Sequence, residues 1–362
     1  MTCISTAIDG VSRKQSRHTI SNPQNHFIMA RYYFNTDKIF FPVELCRLYW
    51  ESPYEKDMFG NVQQLCDNYF AVVDIENNSV FATVTKDYEL ILNKDAADLA
   101  VDMFAYLFHL SDNNLCYATN YFTTAKRSEF EMDIIRDFEA QMPLVNEGWR
   151  PMAKVVNSYN KHRKLSVNIG YCKVDERGHS RGAFLIPGLS VELSSAHDHS
   201  IRSVRRWMFD ELTRNPNMNM LFIEQQFQTK MERLKELKIS EKDMLPLFCK
   251  IYGLTLDPDS KPAQKTILFR AIRQAYLLIQ EHTILRDGKA DAYTFFYAMM
   301  EYATFYKGFA ESAQTAISQL RLGGWLGDFI AATSERDFDY VKYVGKDALR
   351  TAQWFLQNYK DL

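Results

Sequence analysis

Ala153-Lys-Val-Val-Asn-Ser-Tyr-Asn-Lys-His-Arg-Lys-Leu-Ser-Val-Asn-Ile-Gly-Tyr-Cys-Lys-Val174 reads as strand, turn and strand. Leu165, Val167, Ile169 and Tyr171 alternate with Ser166, Asn168, Gly170 and Cys172. A period of two puts these sets on opposite faces, so 164–174 is predicted as a half-buried strand beside a partner near 152–159. Past residue 200 the period changes. Ile201, Val204, Met208 and Leu212 recur at helical spacing, and Ser200 is placed to cap the first turn. The switch predicts an α+β chain: an N-terminal mixed α/β region with antiparallel hairpins, followed by a largely α-helical C-terminal half.

Upstream, Tyr69-Phe-Ala-Val-Val-Asp-Ile75 and Val80-Phe-Ala-Thr-Val-Thr85 flank the turn-forming Glu76-Asn-Asn-Ser79, which predicts a β-hairpin. Asn93 is placed to cap a helix in which Ala97, Val101, Phe104 and Phe108 recur. A strand is expected over 115–124 and a helix over 127–141. Ala183-Phe-Leu-Ile186 and Leu189-Ser-Val-Glu-Leu193 read as two further short strands. Downstream, Met220, Ile223, Phe227, Met231, Leu234 and Leu237 mark a second helix after the one at 200. Ser240-Glu-Lys-Asp243 has the form of a capping box with Asp in place of Glu, opening a third. Residues 255–262 read as a loop, and helices are expected at 263–286, 290–307, 309–322 and 337–359. Gly323-Gly-Trp-Leu-Gly327 reads as a break between helices that permits close packing. The expected organisation is a loosely ordered arm over 1–26, an α+β domain over 27–200 and a helical domain or extension over 201–362.

The six cysteines, at 3, 46, 66, 116, 172 and 249, form no Cys-x-x-Cys pair. Wide spacing argues against a zinc ribbon or a disulfide scaffold and predicts reduced thiols, as in a cytoplasmic protein. Met1 to His26 has no apolar run of the signal-peptide kind, and nothing approaches a membrane span. No membrane partner is expected.

Net charge is -2, so any basic site must be local. Residues 150–214 hold 12 Lys and Arg against 6 Asp and Glu, a segment of +6. The candidate phosphate-contacting residues are Lys161, Arg163 and Lys164 in the turn, Lys173 in the second strand, and Arg202, Arg205 and Arg206 at the helix start. Tyr159 and Tyr171 are candidate stacking residues, although the strand period places Tyr171 on the apolar face. The competing reading is a solvated basic face with internal salt bridges. His197-Asp198-His199 puts two imidazoles at i and i+2, a candidate metal half-site, or else a polar entry to the helix. Asp257 and Asp259 lack the Gly and Glu of a calcium loop. The glycines at 323–327 lack the strand and Lys of a phosphate loop, and no Gly-x-Ser-x-Gly is present. No catalytic set and no cofactor are expected.

Three stretches resemble a family of phage- and plasmid-like proteins of unknown function. One is Tyr69 to Tyr88, continuing to Asn93 and its helix. Another is Lys154-Val-Val-Asn-Ser-Tyr-Asn160 with Leu165-Ser-Val-Asn-Ile169, similar to a strand-turn-strand carrying an Asn-Ser dipeptide. The third is Asp291-Ala-Tyr-Thr-Phe-Phe-Tyr-Ala-Met-Met-Glu-Tyr302, similar to a C-terminal helix with a Glu-Tyr pair. The sequence departs from the family where Cys172 is followed by Lys173 rather than Asn. The resemblance implies a mobile-element origin and an intracellular setting, but no reaction.

Three functional readings follow. The first is a non-enzymatic protein bound to single-stranded or duplex DNA through the basic segment. The second is an interaction module, an inhibitor or adaptor acting on a host protein, with self-association into a homo-oligomer open in either case. The third is a metal-dependent nuclease or hydrolase centred on His197, Asp198 and His199.

Overall fold

A mixed, largely antiparallel sheet of six strands forms the centre of the α+β fold, which a computed structural model describes over residues 31–57, 60–108, 116–136, 147–192, 197–214, 220–306 and 315–359. Its strands are β1 (Arg31–Tyr32), β5 (Cys116–Thr123), β6 (Glu129–Arg136), β7 (Trp149–Ser158), β8 (Ser166–Val174) and β9 (Ser180–Glu192), in that order. Only the short β1–β5 pair is parallel. A smaller sheet holds β2 (Val43–Asp57), β3 (Gly60–Asp74) and β4 (Ser79–Thr85). The expected hairpin is β3–β4.

Helix α1 (Asn93–Leu107) lies on one face of the large sheet, and α2 (Ile201–Arg214) lies on α1. The C-terminal half is helical: α3 (Met220–Glu236), α4 (Glu241–Ile251), α5 (Pro262–His282), α6 (Ala292–Phe305), α7 (Thr315–Thr333), α8 (Tyr340–Val344) and α9 (Lys346–Tyr359). A two-stranded ribbon, β10 (Lys238–Ser240) with β11 (Lys289–Asp291), joins α3 to α6. One apolar cluster runs from α1 through the sheet to Phe355 of α9, so hydrophobic packing is continuous across residue 200.

Several expectations need correction. The segment predicted as helix over 127–141 is strand β6 as far as Arg136, and 137–141 lie outside the described residues. Glu129, Glu131 and Asp133 alternate there with Phe130, Met132 and Ile134, and neighbouring strands bury both sets. Strand β8 is likewise buried on both faces along most of its length, not half-buried. The two short strands near 183 and 189 are one strand, β9, with a register shift opposite Asn168 and Gly170.

Asn93 does not cap α1. It is the first helical residue, and its buried amide donates to the Ile39 carbonyl at 3.0 Å and accepts from Asn157 at 3.0 Å. Ser240 occupies the N-cap of α4 but makes no side-chain capping bond. Gly323 to Gly327 are not a break: they lie inside α7. A Cβ on Gly323 would stand 1.9 Å from the Leu185 carbonyl oxygen, so the glycine lets the helix touch β9 backbone to backbone. The break actually needed falls at Gly345, which at φ 88° divides the single helix expected over 337–359 into α8 and α9. The arm expected over 1–26 lies outside the described residues.

Among the described residues the β2–β3 pair extends beyond the rest of its sheet. β4 pairs with β3 only from Tyr69 to Asp74. Beyond that, Tyr49 to Asp57 and Gly60 to Leu65 form a two-stranded ribbon. At roughly 3.3 Å per residue it reaches out about 30 Å.

Candidate nucleic-acid interface

The sheet has two unlike faces. Phe130, Met132, Ile134, Ala153, Val155, Val167 and Ile169 face α1 and the main core. The other face is ionic toward the β7–β8 turn. Asp133 stands opposite Lys154, and Lys154 opposite Asn168. Lys154 Nζ pairs with Asp133 and lies 3.8 Å from Glu131 Oε2. Arg163 Nη1 reaches Glu131 Oε1 at 3.2 Å, and the Ala316 amide at the start of α7 donates to Glu131 Oε2 at 3.3 Å. Burial pushes the Glu131 carboxyl above its ordinary value against the pull of Lys154 and Arg163. Burial also opposes charge on Lys154, but Asp133 and Glu131 outweigh it and hold the ammonium above its ordinary range. Glu131, Asp133 and Lys154 are all closed to solvent, so this constellation holds the fold and has no opening for a substrate.

The turn of Lys161, Arg163 and Lys164 is tied to that face. Lys161, at φ 64°, donates from Nζ to the Thr83 carbonyl at 3.0 Å. His162 Nδ1 lies 3.2 Å from Glu129 Oε1. Ser158 Oγ accepts from the Arg163 amide at 3.0 Å and donates to its carbonyl at 2.8 Å. Lys164 is exposed and also has a partner. Lys173 lies among aromatic rings: its Nζ donates to Tyr293 Oη at 3.1 Å and stands 5.1 Å from the Tyr297 ring centre. Burial lowers its pKa.

Neither candidate stacking residue is available. Tyr159 and Tyr171 are each 1% exposed, Tyr159 Oη accepting from the Asn93 amide and Tyr171 stacking on Phe227 at 4.0 Å. The histidine pair is also divided. His197, 2% exposed, stacks on Tyr88 at 5.3 Å, and burial lowers its pKa, favouring the neutral ring. His199 is exposed and pairs with Asp198 at 2.6 Å. Among the described residues no three His, Cys, Asp or Glu side chains are grouped to hold a metal ion.

Helix α2 is different. Val204, Met208 and Leu212 point inward, and Arg205 pairs with Asp102 of α1. Arg202, Arg206 and Arg214 are exposed, and the first two make no ion pair or hydrogen bond among the described residues. On the same helix, directly after Arg206, Trp207 is 41% exposed. The two predicted basic clusters do not share a surface: His162 and Arg163 turn to the ionic face of the sheet, whereas α2 lies behind α1 on the other.

Sequence reasoning overlooked Trp207. The signal was present, because Trp207 falls outside the Val204, Met208 and Leu212 stripe, on the flank of the same helix. It overlooked Glu129, Glu131 and Asp133 as well, where a period of two was read as a helix.

Compared with known proteins, the chain matches no family model, no curated protein and no solved structure.

Proposed function

We propose that this protein is a non-catalytic, nucleic-acid-associated protein of phage or plasmid type that holds single strands on the outer face of α2. The observation that carries the reading is the exposed Trp207 on the same helix as Arg202 and Arg206, which are exposed and have no partner among the described residues. An exposed ring beside guanidinium groups on one helix suits a flexible strand: the ring stacks on a base whatever its identity, and the arginines meet the neighbouring phosphates. Duplex bases are stacked on each other and offer no free ring face, so single strands are the expected ligand. The sealed ionic face and the separated histidines favour binding over hydrolysis.

The test is fluorescence anisotropy of a labelled single-stranded oligonucleotide titrated at several salt concentrations. Affinity is expected to fall with salt, and Arg202→Glu with Arg206→Glu to flatten the log–log slope by about 2. Trp207→Ala is expected to weaken binding about 5- to 100-fold, the range for loss of one stacked base. Binding that these changes leave intact refutes the assignment to α2.

A further inference from the structure

The distal β2–β3 ribbon pairs with no third strand among the described residues. No element packs against it strongly, and the outer edge of β2 is unpaired. Yet it is not a polar arm. Tyr49 is 53% exposed, Trp50 46% and Leu65 39%, with Tyr69, at the base of the ribbon beside β4, 51%. An isolated two-stranded hairpin is marginal in water, and an exposed edge flanked by aromatic side chains invites a partner.

The charge of the ribbon selects that partner. Among the described side chains of β2 and β3 that are exposed, Glu44, Glu51 and Asp67 outnumber Arg47. Nucleic acid is therefore disfavoured, and so is a symmetric ribbon-to-ribbon dimer. The complementary surface is on the same chain: α2 presents Arg202, Arg206, Arg214 and the exposed Trp207. Among the described residues the ribbon of each chain does not pack closely on its own α2. We propose that the β2–β3 ribbon docks on the α2 face of a second copy of this chain, acidic against basic and aromatic against aromatic. Such a contact joins two different surfaces, so it propagates head to tail into a ring or a filament. It occupies the face assigned above to nucleic acid, so oligonucleotide and ribbon compete, and self-association masks the binding face until a strand displaces it.

Sedimentation velocity of the full chain at rising concentration, in low and high salt, tests this. Association at low salt that weakens with salt is expected. Glu44→Lys with Glu51→Lys and Asp67→Lys should sediment as a monomer, as should Arg202→Glu with Arg206→Glu and Arg214→Glu. Mixed in equal amounts, the two variants should associate again, because every contact between unlike chains regains opposite charges. Thermal melting coincident with the wild type confirms that both variants fold. Trp50→Ala, which leaves charge untouched, should raise the dissociation constant about tenfold or more. A wild-type chain that stays monomeric, variants that associate as the wild type does, or a mixture that stays monomeric overturns the proposal. The docking does not require the nucleic-acid reading: loss of oligonucleotide binding with assembly intact rejects only that reading. Oligonucleotide binding by a strictly monomeric chain rejects only the docking.

Discussion

In β7 and the turn after it, Lys154 and Arg163 each face carboxylates of β6, Lys154 wholly buried and Arg163 largely so, whereas in α2 Arg202 and Arg206 are exposed with no partner among the described residues. Both regions belong to the same basic segment and look equally available when charges are counted along the chain. They differ in what the fold sets opposite them. A strand beside the lysine delivers three carboxylates to one face, while the outward surface of a helix faces only water. Buried charge of this kind serves the structure, and only the exposed remainder is free to bind.

The contrast can be broken most severely at Lys154. Lys154→Met strands Asp133 and Glu131 in a dry site, and the expected loss is about 3–5 kcal/mol of unfolding free energy by urea titration. Replacing Lys154 and Asp133 together by apolar residues should recover much of that loss, since a coupled pair is non-additive. Next comes Gly323→Ala. Its Cβ would meet the Leu185 carbonyl oxygen at 1.9 Å, so α7 must shift off β9, with an expected loss of about 1–3 kcal/mol.

A smaller effect is expected from acid. Asp74 is buried, which by itself raises its pKa, but hydrogen bonds from Asn77 and Arg127 prevail and lower it from the ordinary 3.8. Stability from this group is therefore present above the unfolded-state value and lost as pH falls through the lower folded-state value. Asp74→Asn should be less stable at neutral pH and flatter over that acidic window, as read by thermal melts across pH. Smallest is Arg202→Glu with Arg206→Glu. It should change stability by less than about 0.5 kcal/mol while flattening the salt dependence of oligonucleotide binding by about 2 in log–log slope. A large stability loss there would put these arginines with Lys154 and dissolve the contrast.

Much of the architecture was legible along the chain because it depends on local periodicity. The alternation in 165–172 marks β8, the spacing of Val204, Met208 and Leu212 orients α2, and Glu76 to Ser79 mark the β3–β4 turn. The errors have physical causes. In β6 the alternation was Glu, Phe, Glu, Met, Asp, and charged residues on one face suggest solvent unless a neighbouring strand supplies Lys154 and a turn supplies Arg163. The glycines of α7 suggest a helix stop unless the backbone of another element occupies the space a side chain would take.

Sequence alone determined the α+β order, the inward stripe of α2 and the excess of cations over 150–214, since each depends on residues close in the chain. Tertiary structure alone decided which of those cations remain free. It set Lys154 and Arg163 against β6, placed Lys173 among aromatic rings, put His197 on Tyr88 and left Arg202, Arg206 and Trp207 facing out. That outcome depends on strand register and layer order, which bring together residues far apart in the chain.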